Sequence, residues 1–153
     1  MHIAYIGIGS NLGNREENCE RAIRLLIENG ITVTKRSSMI ETEPWGVKEQ
    51  PDFINMAVEA ETSLGPEALL QELKKIEEEV GRLPTSHWGP RAIDLDILLY
   101  DDIVMKTPEL EIPHPGISER EFVLRPLAEI APDKVHPVLR RSIKSLLKEL
   151  NEK

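Results

Sequence analysis

The chain has 153 residues, of which 40% are hydrophobic and 30% are charged. This length predicts one compact domain over 1–153, with enough apolar residues for a real core. A formal net charge of −8 argues against a general nucleic-acid-binding protein, because an acidic surface repels phosphates. A single cysteine, Cys19, excludes an internal disulfide framework, which fits a reducing compartment.

The distribution of apolar residues gives no indication of a membrane protein. No apolar run approaches the length of about 20 residues that spans a bilayer. The N-terminal residues have neither a basic region nor a long apolar stretch, so no signal peptide is predicted. We therefore expect a cytoplasmic protein with no membrane partner.

The first half of the chain predicts three strands and one helix. A buried strand over 3–8 is followed by a helix that Asn14 caps and that ends before Gly30. Further strands are expected over 31–41 and over 53–62, the latter from its alternation of apolar and polar residues. The apolar residues at helical spacing in the first helix are Cys19, Ala22, Ile23 and Leu26.

The second half predicts another helix, a fourth strand and a helical tail. Pro66 opens the helix and Gly81 closes it, and the apolar stripe between them consists of Leu69, Leu73, Ile76 and Val80. The order is therefore βαββαβ with a C-terminal helical extension, an α+β fold. This is the ferredoxin-like arrangement, an antiparallel sheet with helices packed on it. The further predicted elements are a polar loop over 83–90, strands over 92–100 and 103–105, and helices over 122–130 and 142–150.

Two aspartates in the fourth strand carry the strongest chemical signal. Asp94 and Asp96 share one face of that strand, and Leu95, Ile97 and Leu99 fill the other. Mg²⁺ is the natural compensation for two adjacent carboxylates, since it is usually held by one or two of them plus substrate phosphates. Such a pair can bracket two metal ions about 3.5–4 Å apart, as in two-metal phosphoryl-transfer sites. For a bare Asp-x-Asp, a solvated or arginine-paired sheet face is the better interpretation.

The residues that precede the aspartates favour a phosphate site. Trp88 and Arg91 belong to the block WGPRAIDLD, in which Gly89 and Pro90 define a turn. Arginine binds phosphate oxygens bidentately, and tryptophan stacks on flat rings. These flanking residues make the metal-site interpretation of Asp94 stronger than the spacing alone does.

Three other groups carry weaker signals. Phe53 and Asn55 share a strand face. There an aromatic ring can stack on a heterocycle while the neighbouring amide forms hydrogen bonds with its edge. A core Phe beside a surface turn is the plainer interpretation of this group. His114 and Arg120 are candidates for phosphate contacts, but a lone loop histidine is more often structural. Arg82 follows a helix and is equally a partner for the helix dipole.

Two nucleotide-binding motifs are excluded by their spacing. The segment from Gly7 to Gly9 begins like a dinucleotide fingerprint, but Leu12 occupies the position that requires the third glycine. No G-x-x-x-x-G-K-[ST] loop is present, so ATP would be bound without a P-loop.

Taken together, the motifs resemble the 6-hydroxymethyl-7,8-dihydropterin pyrophosphokinase family of folate biosynthesis. The resemblance covers nearly the whole chain and is carried by GSNL at 9–12, T-x-P-x-G at 42–46, F-x-N at 53–55, GR at 81–82, WGPR-x-x-D-x-D at 88–96 and PH at 113–114. It implies transfer of pyrophosphate from ATP to the pterin hydroxymethyl group, with release of AMP. It also implies two Mg²⁺ ions. We expect a monomer that acts on small molecules.

The resemblance also implies roles for single residues. The catalytic set would be Arg82, Arg91, Asp94 and Asp96, with the two aspartates holding the metal. The implied ATP contacts are Leu70, Glu77, Arg91, Ile97, His114 and Arg120. The implied pterin contacts are Thr42, Pro44, Trp45, Gly46, Phe53, Asn55, Trp88, Asp94 and Phe122. A loop over 83–87 would be mobile and would close over the substrates.

The sequence departs from the family pattern at a few positions. The loop before Trp88 is one residue shorter, and Pro84 stands where some members carry an arginine. Glu109 and Glu111 occupy a stretch where a basic residue and a threonine can meet ATP. Two other hypotheses remain open. One is a non-catalytic ferredoxin-like module that binds a small ligand, and the other is a different nucleotide-dependent transferase or phosphatase.

Overall fold

A computed structural model describes residues 1–42, 52–81 and 92–152, and an antiparallel sheet lies at its centre. The strands are β1 (His2–Ser10), β2 (Thr32–Arg36), β3 (Ile40–Thr42), β4 (Phe53–Thr62) and β5 (Asp94–Tyr100), and a small ribbon contains β6 (Met105–Lys106) and β7 (Glu111–Ile112). The helices are α1 (Arg15–Glu28), α2 (Pro66–Val80), α3 (Glu121–Ile130) and α4 (Ile143–Asn151), with a 3₁₀ turn at Ile117–Glu119.

The sheet has the order β2-β4-β1-β5, and β3 also pairs with β4. All of these pairings are antiparallel, as predicted. In the register of the central strand, Gly9 lies opposite Asn55 of β4 on one side and Asp94 of β5 on the other. The sheet therefore brings together two segments that are distant in sequence and that both carry predicted site residues.

Apolar side chains cover both faces of the sheet. On one face, the α1–α2 core contains Ile6 and Ile8 of β1 together with the stripes of the two long helices. On the opposite face, the α3–α4 core contains Tyr5 of β1, Ala57 of β4 and the apolar residues of the C-terminal helices. The buried stripe residues are the predicted ones, namely Cys19, Ala22, Ile23 and Leu26 in α1 and Leu69, Leu73, Ile76 and Val80 in α2.

The ends of the two long helices lie where their local signals predict. Asn14 caps α1, since its Oδ1 accepts a hydrogen bond from the Glu17 N–H at 3.1 Å. Pro66 is the first residue of α2, and Gly81 follows its last residue. Neither of these helices, nor any other helix in the described ranges, is long and apolar enough to cross a membrane.

The structure corrects the predicted second strand. Residues 31–41 form two strands, β2 and β3, because the ladder with β4 is interrupted at Ser37. The Oγ of Ser37 accepts a hydrogen bond from the Ala57 N–H at 2.9 Å and donates one to the Ser38 carbonyl at 2.8 Å. A side chain thus takes the place of a main-chain acceptor, and regular pairing resumes only at Ile40.

The structure also corrects the predicted face of Leu99. Leu95 and Ile97 lie in the α1–α2 core as expected, but Leu99 lies in the opposite core, together with Leu98. The cause is an irregularity in the β1–β5 pairing, where the register shifts after Tyr5. An extra residue in one strand reverses the alternation of faces beyond it.

Candidate active site

Two glycines of β1, Gly7 and Gly9, contribute no side chains of their own to one sheet face, and we call them the glycine floor. They alternate with Ile6 and Ile8, which point into the α1–α2 core, so they face the opposite side. A Cβ added to Gly9 would lie 2.9 Å from Oδ1 of Asn55, closer than real Cβ atoms approach. Glycine is therefore required there if the Asn55 side chain is to keep its place.

Asn55 and Asp94 lie on opposite sides of Gly9, each as its partner in the neighbouring strand. Neighbouring strands are about 4.8 Å apart, so the two main chains are separated by about 10 Å. Gly9 alone stands between them in the strand register, and the side chains of Asn55 and Phe53 lie beside the position of its missing Cβ. A flat ring placed over the floor would have an amide on one side and a carboxylate on the other.

Asn55 is oriented by Thr42. The Asn55 Nδ2 donates a hydrogen bond to Thr42 Oγ1 at 2.7 Å, which turns Oδ1 towards Gly9. Thr42 is itself paired with Phe53, in the last registered pair of β3 and β4. Three of the predicted pterin contacts, Thr42, Phe53 and Asn55, are thus neighbours at one end of the sheet.

The two aspartates share a face of β5 beside the glycine floor. Asp94 is half-buried and Asp96 is exposed, whereas Leu95 between them is buried in the α1–α2 core. Asp94 lies opposite Gly9, and Asp96 lies opposite Gly7. The predicted same-face placement of the pair is therefore confirmed.

The chemistry of this pair fits Mg²⁺. That ion takes one or two carboxylates from a protein and completes its octahedron with water and substrate phosphates. Asp94 and Asp96 supply that share of hard oxygen donors on a face that solvent and ligand can reach. In the part of the chain that the structure describes, no group of three or more His, Cys, Asp and Glu side chains could hold a metal ion.

His114 lies against the outer edge of β5, where its main-chain N–H donates a hydrogen bond to the Leu98 carbonyl at 3.0 Å. Burial lowers the pKa of His114 below its ordinary value of 6.5, and the charge of Arg120 lowers it further. The charges of Asp96 and Glu111 raise this pKa but do not outweigh burial. The ring is therefore neutral at pH 7.

The tautomer of His114 follows from a second hydrogen bond. The Gly116 N–H donates to Nδ1 of His114 at 3.1 Å. In a neutral ring whose Nδ1 accepts, Nε2 carries the proton and is a donor. His114 is thus set to donate a hydrogen bond to an anionic ligand beside Asp96.

Arg120 is packed between Gly116 and Phe122. A Cβ added to Gly116 would lie 2.8 Å from Nε of Arg120, so glycine makes room for the guanidinium. The Arg120 guanidinium carbon lies 6.0 Å from the centre of the Phe122 ring. These contacts bring two further predicted residues, Arg120 and Phe122, to the neighbourhood of His114.

The predicted nucleotide neighbours Leu70, Glu77 and Ile97 lie on the α2 side of β5. Oε2 of Glu77 accepts a hydrogen bond from the Leu95 N–H at 2.8 Å, so this carboxylate joins α2 to the outer edge of β5. The side chain of Ile97 is only 2% exposed and points away from the aspartate face. Leu70 packs against the same core. Nucleotide contacts by these three residues stay predictions.

Six of the predicted site residues lie outside the described ranges, and they are Pro44, Trp45, Gly46, Arg82, Trp88 and Arg91. The described residues on either side of 82–91 are in contact. A Cβ added to Gly81 would collide with the Cβ of Ala92. The chain therefore leaves α2 and returns to β5 at nearly the same point.

Sequence reasoning missed the role of the glycine floor. The sequence indicates Gly7 and Gly9 as part of an incomplete dinucleotide fingerprint, and Gly9 as the start of the GSNL motif, but neither pattern predicts a shared face beside Asn55. The signal that could have revealed them is two glycines at same-face spacing within an apolar strand, since a strand glycine often marks a close approach by a ligand or another group.

The chain is similar to known proteins over most of its length. The family model for 7,8-dihydro-6-hydroxymethylpterin-pyrophosphokinase (HPPK) matches residues 5–132. The chain is 43% identical over 149 residues to the 2-amino-4-hydroxy-6-hydroxymethyldihydropteridine pyrophosphokinase of Aquifex aeolicus, a match that covers 97% of this chain and 92% of that protein. It is 51% identical over 130 residues to the protein of the same name from Bacillus subtilis, covering 84% and 78% respectively.

A solved structure has the same fold. Wild-type HPPK-DHPS of Plasmodium falciparum matches with a TM-score of 0.77 at 18% identity, a likeness that concerns the fold alone. The match covers 97% of this chain and 44% of that one, so this chain spans less than half of that protein. From the family model and the two bacterial relatives, we conclude that the chain belongs to the 7,8-dihydro-6-hydroxymethylpterin-pyrophosphokinase family.

Proposed function

We propose that this chain transfers the pyrophosphoryl group of ATP to the hydroxymethyl group of 6-hydroxymethyl-7,8-dihydropterin and releases AMP, a step of folate biosynthesis. Family membership supports the reaction. The observation that carries the assignment of the site is the row formed by Asn55, Gly9 and Asp94 across the sheet. An amide suited to a heterocycle and a carboxylate suited to a metal face each other over the glycine floor.

We assign the pterin to the Asn55 side of the floor. A pterin is a flat ring with hydrogen-bond donors and acceptors along one edge, and an amide of fixed orientation reads such an edge. Thr42 supplies the fixed orientation, and Phe53 supplies an apolar neighbour for the ring. The pterin roles of Pro44, Trp45, Gly46, Trp88 and Phe122 stay predictions.

We assign the phosphates of ATP to the Asp94–Asp96 side. The two aspartates would hold Mg²⁺, which when bound neutralises phosphate oxygens and aligns them for displacement. His114 and Arg120 would donate hydrogen bonds to the same oxygens, His114 through Nε2. That two ions bind, and that Arg82 and Arg91 assist, remain predictions from the resemblance.

The reaction requires chiefly that the pterin hydroxyl and the phosphates of ATP are aligned. The pterin hydroxyl oxygen attacks the β-phosphorus in line, the bond from that phosphorus to the oxygen of AMP breaks, and the hydroxyl proton is released. Positioned reactants and fixed charges lower the barrier of such a transfer. Asp94, which faces Asn55 across Gly9, belongs to both the predicted pterin set and the predicted metal set. Its place between the two ends of the site supports that double assignment.

The direct test is AMP formation by the purified protein. We expect AMP only when ATP, Mg²⁺ and hydroxymethyldihydropterin are all present, and none when any one of them is omitted. Failure to form AMP with all three would overturn the proposal. A non-catalytic module would instead bind nucleotide without any need for metal, which calorimetry with and without Mg²⁺ distinguishes.

We also infer the ferredoxin-like form of the fold and a monomeric, single-domain protein of the cytoplasm. The strand order β2-β4-β1-β5 with antiparallel pairing supports the first, if β2 and β3 are counted as one interrupted strand. Light scattering tests the oligomeric state.

A further inference from the structure

We infer that Arg15 is a positioning residue for the pterin end of the site and that it acts without touching substrate. Arg15 is the first residue of α1, and its guanidinium joins the end of β3 to the beginning of β4. The inference rests on the proposed function, because it assigns the pterin to Thr42, Phe53 and Asn55.

The guanidinium makes two hydrogen bonds that bracket the site. Nη1 of Arg15 donates to Oε1 of Glu41 at 3.1 Å and to the main-chain carbonyl of Asp52 at 2.7 Å. Glu41 precedes Thr42, and Asp52 precedes Phe53. Thr42 and Phe53 form the last registered pair between β3 and β4. One side chain therefore holds together the two strands at the position of that pair.

The pair is the last one between β3 and β4 in the part of the chain that the structure describes. There β3 has three residues, and a short ladder opens more readily than a long one, so a connection at this pair stabilises it. Thr42 also accepts the hydrogen bond that orients the Asn55 amide. If Thr42 and Phe53 separate, the Asn55 amide loses its hydrogen-bond partner. The amide is then no longer held in the orientation that we assign to recognition of the pterin ring.

Arg15 reaches this pair from the opposite face of the sheet. Glu41 lies opposite Ile54, whose side chain is buried in the α1–α2 core. Side chains alternate along a strand, so Glu41 lies on the face that α1 and α2 cover. Thr42 and Phe53 lie on the opposite face, which is that of the glycine floor. Arg15 thus acts through the two strands, and a ligand over the floor is on the other side of the sheet.

The loop before α1 fixes the starting point of Arg15. Asn14 caps the helix, and the Asn18 Nδ2 donates to the Leu12 carbonyl at 2.9 Å. Gly13 has a φ of 71°, a left-handed conformation that favours glycine. The side chain of Arg15 is only 24% exposed. These contacts fix the main chain from which the half-buried Arg15 side chain extends.

The test is the effect of Arg15→Met on each substrate separately. We expect the KM for the pterin at saturating ATP to rise about fivefold, since a charged hydrogen-bonding group is lost, with the KM for ATP and kcat changed by less than about twofold. The matched control is Arg36→Met. Arg36 makes a bidentate ion pair with Glu20 of α1 at 2.8 Å, so it also joins α1 to the sheet, but at β2.

A second variant gives an intermediate effect. Glu41→Gln removes one ionic partner and leaves the bond between Arg15 and the Asp52 carbonyl, so we expect a rise of about twofold in the pterin KM. If Arg15→Met does not fold, Arg15→Lys and Glu41→Gln decide the question by the same ratio of pterin KM to ATP KM.

The inference is overturned if the pterin KM of Arg15→Met equals that of the unmodified protein. It is also overturned if the KM values for the pterin and for ATP rise together in Arg15→Met, or if Arg36→Met raises the pterin KM as much. The melting temperatures of Arg15→Met and Arg36→Met identify general destabilisation. Inactivity of the unmodified protein in the AMP assay would instead contradict the proposed function, so the two failures are distinct.

Discussion

The side-chain amide of Asn55 and the hydroxyl of Thr42 are 2.7 Å apart, and the hydrogen bond between them determines which way the amide oxygen faces. The bond crosses from β4 to β3, so it depends on correct pairing of the two strands. It turns Oδ1 towards Gly9. A single hydroxyl thus defines the polarity of the edge that we assign to pterin recognition.

Removal of the Thr42 hydroxyl should weaken pterin binding selectively. Thr42→Val keeps the shape of the side chain but leaves the Asn55 amide without this partner, so the amide can rotate. We expect the KM for the pterin to rise about tenfold, with little change in the KM for ATP. Thr34→Val is the control, since the Thr34 hydroxyl also takes part in a side-chain hydrogen bond within the sheet, there as the donor to Glu59. An unchanged pterin KM in Thr42→Val would contradict the orienting role.

A methyl group on the glycine floor should be costly at one position and tolerated better at the other. Gly9→Ala places a Cβ 2.9 Å from Oδ1 of Asn55, whereas Gly7→Ala places one at an ordinary 3.4 Å from Leu98. We expect Gly9→Ala to reduce the free energy of unfolding by about 1–3 kcal/mol and to weaken pterin binding. Gly7→Ala should cost clearly less stability. Equal losses in urea unfolding would show that the Asn55 contact does not decide the effect.

Loss of either carboxylate of the aspartate pair should abolish most of the turnover. Asp94→Asn and Asp96→Asn each remove a charged oxygen donor, and we expect kcat to fall about 100-fold or more, with a higher Mg²⁺ requirement. Asp102→Asn, just beyond the other end of β5, removes an exposed carboxylate that pairs with Lys134 and serves as the control. Near-normal turnover with both site aspartates replaced would exclude the proposed metal site. Circular dichroism checks that each variant folds.

The stability of the protein should decrease as the pH falls below the ordinary histidine range. His136 is only 6% exposed, and burial lowers its pKa below the ordinary 6.5. The unfolded chain then binds a proton that the folded chain does not, so this stability is present above pH 6.5 and is lost as the pH falls towards the folded pKa. The lowered pKa of His114 acts with the same sign.

A single substitution measures how much His136 contributes to the pH dependence of stability. Its Nδ1 accepts hydrogen bonds from the Val138 and Leu139 N–H groups at 3.2 and 3.0 Å. In His136→Asn, the side-chain oxygen of asparagine can accept these hydrogen bonds in place of Nδ1. We expect the free energy of unfolding of His136→Asn to depend less on pH between about 7.5 and 5.5 than that of the unmodified protein. Urea unfolding at several pH values measures both slopes. Identical slopes would assign the dependence to other groups.

Much of the fold was predictable from the sequence because its signals are local. Asn14 and Gly81 mark helix ends by hydrogen bonding and by main-chain geometry within one turn. The strand at Phe53–Thr62 is as predicted, since its alternation of faces reflects burial of one side. The same-face placement of Asp94 and Asp96 required only the strand period.

Other features depended on partners that are distant in the sequence. The break at Ser37 arises from a hydrogen bond to Ala57, and the reversed face of Leu99 arises from the register with Tyr5. Neither partner is near its counterpart along the chain. Propensity and periodicity describe a segment alone, so they cannot show where two strands fall out of step.

The division between sequence and structure is clearest at the site. The residue types and spacings were enough to identify the family and the reaction, because those motifs are specific as written. They also predict the two aspartates as the metal ligands. Only the tertiary structure put Asn55 and Asp94 on either side of Gly9, oriented the amide through Thr42 and brought Arg15 to Glu41 and Asp52. These relations follow from strand register and from helix packing on the sheet, and both are set by the folded chain as a whole.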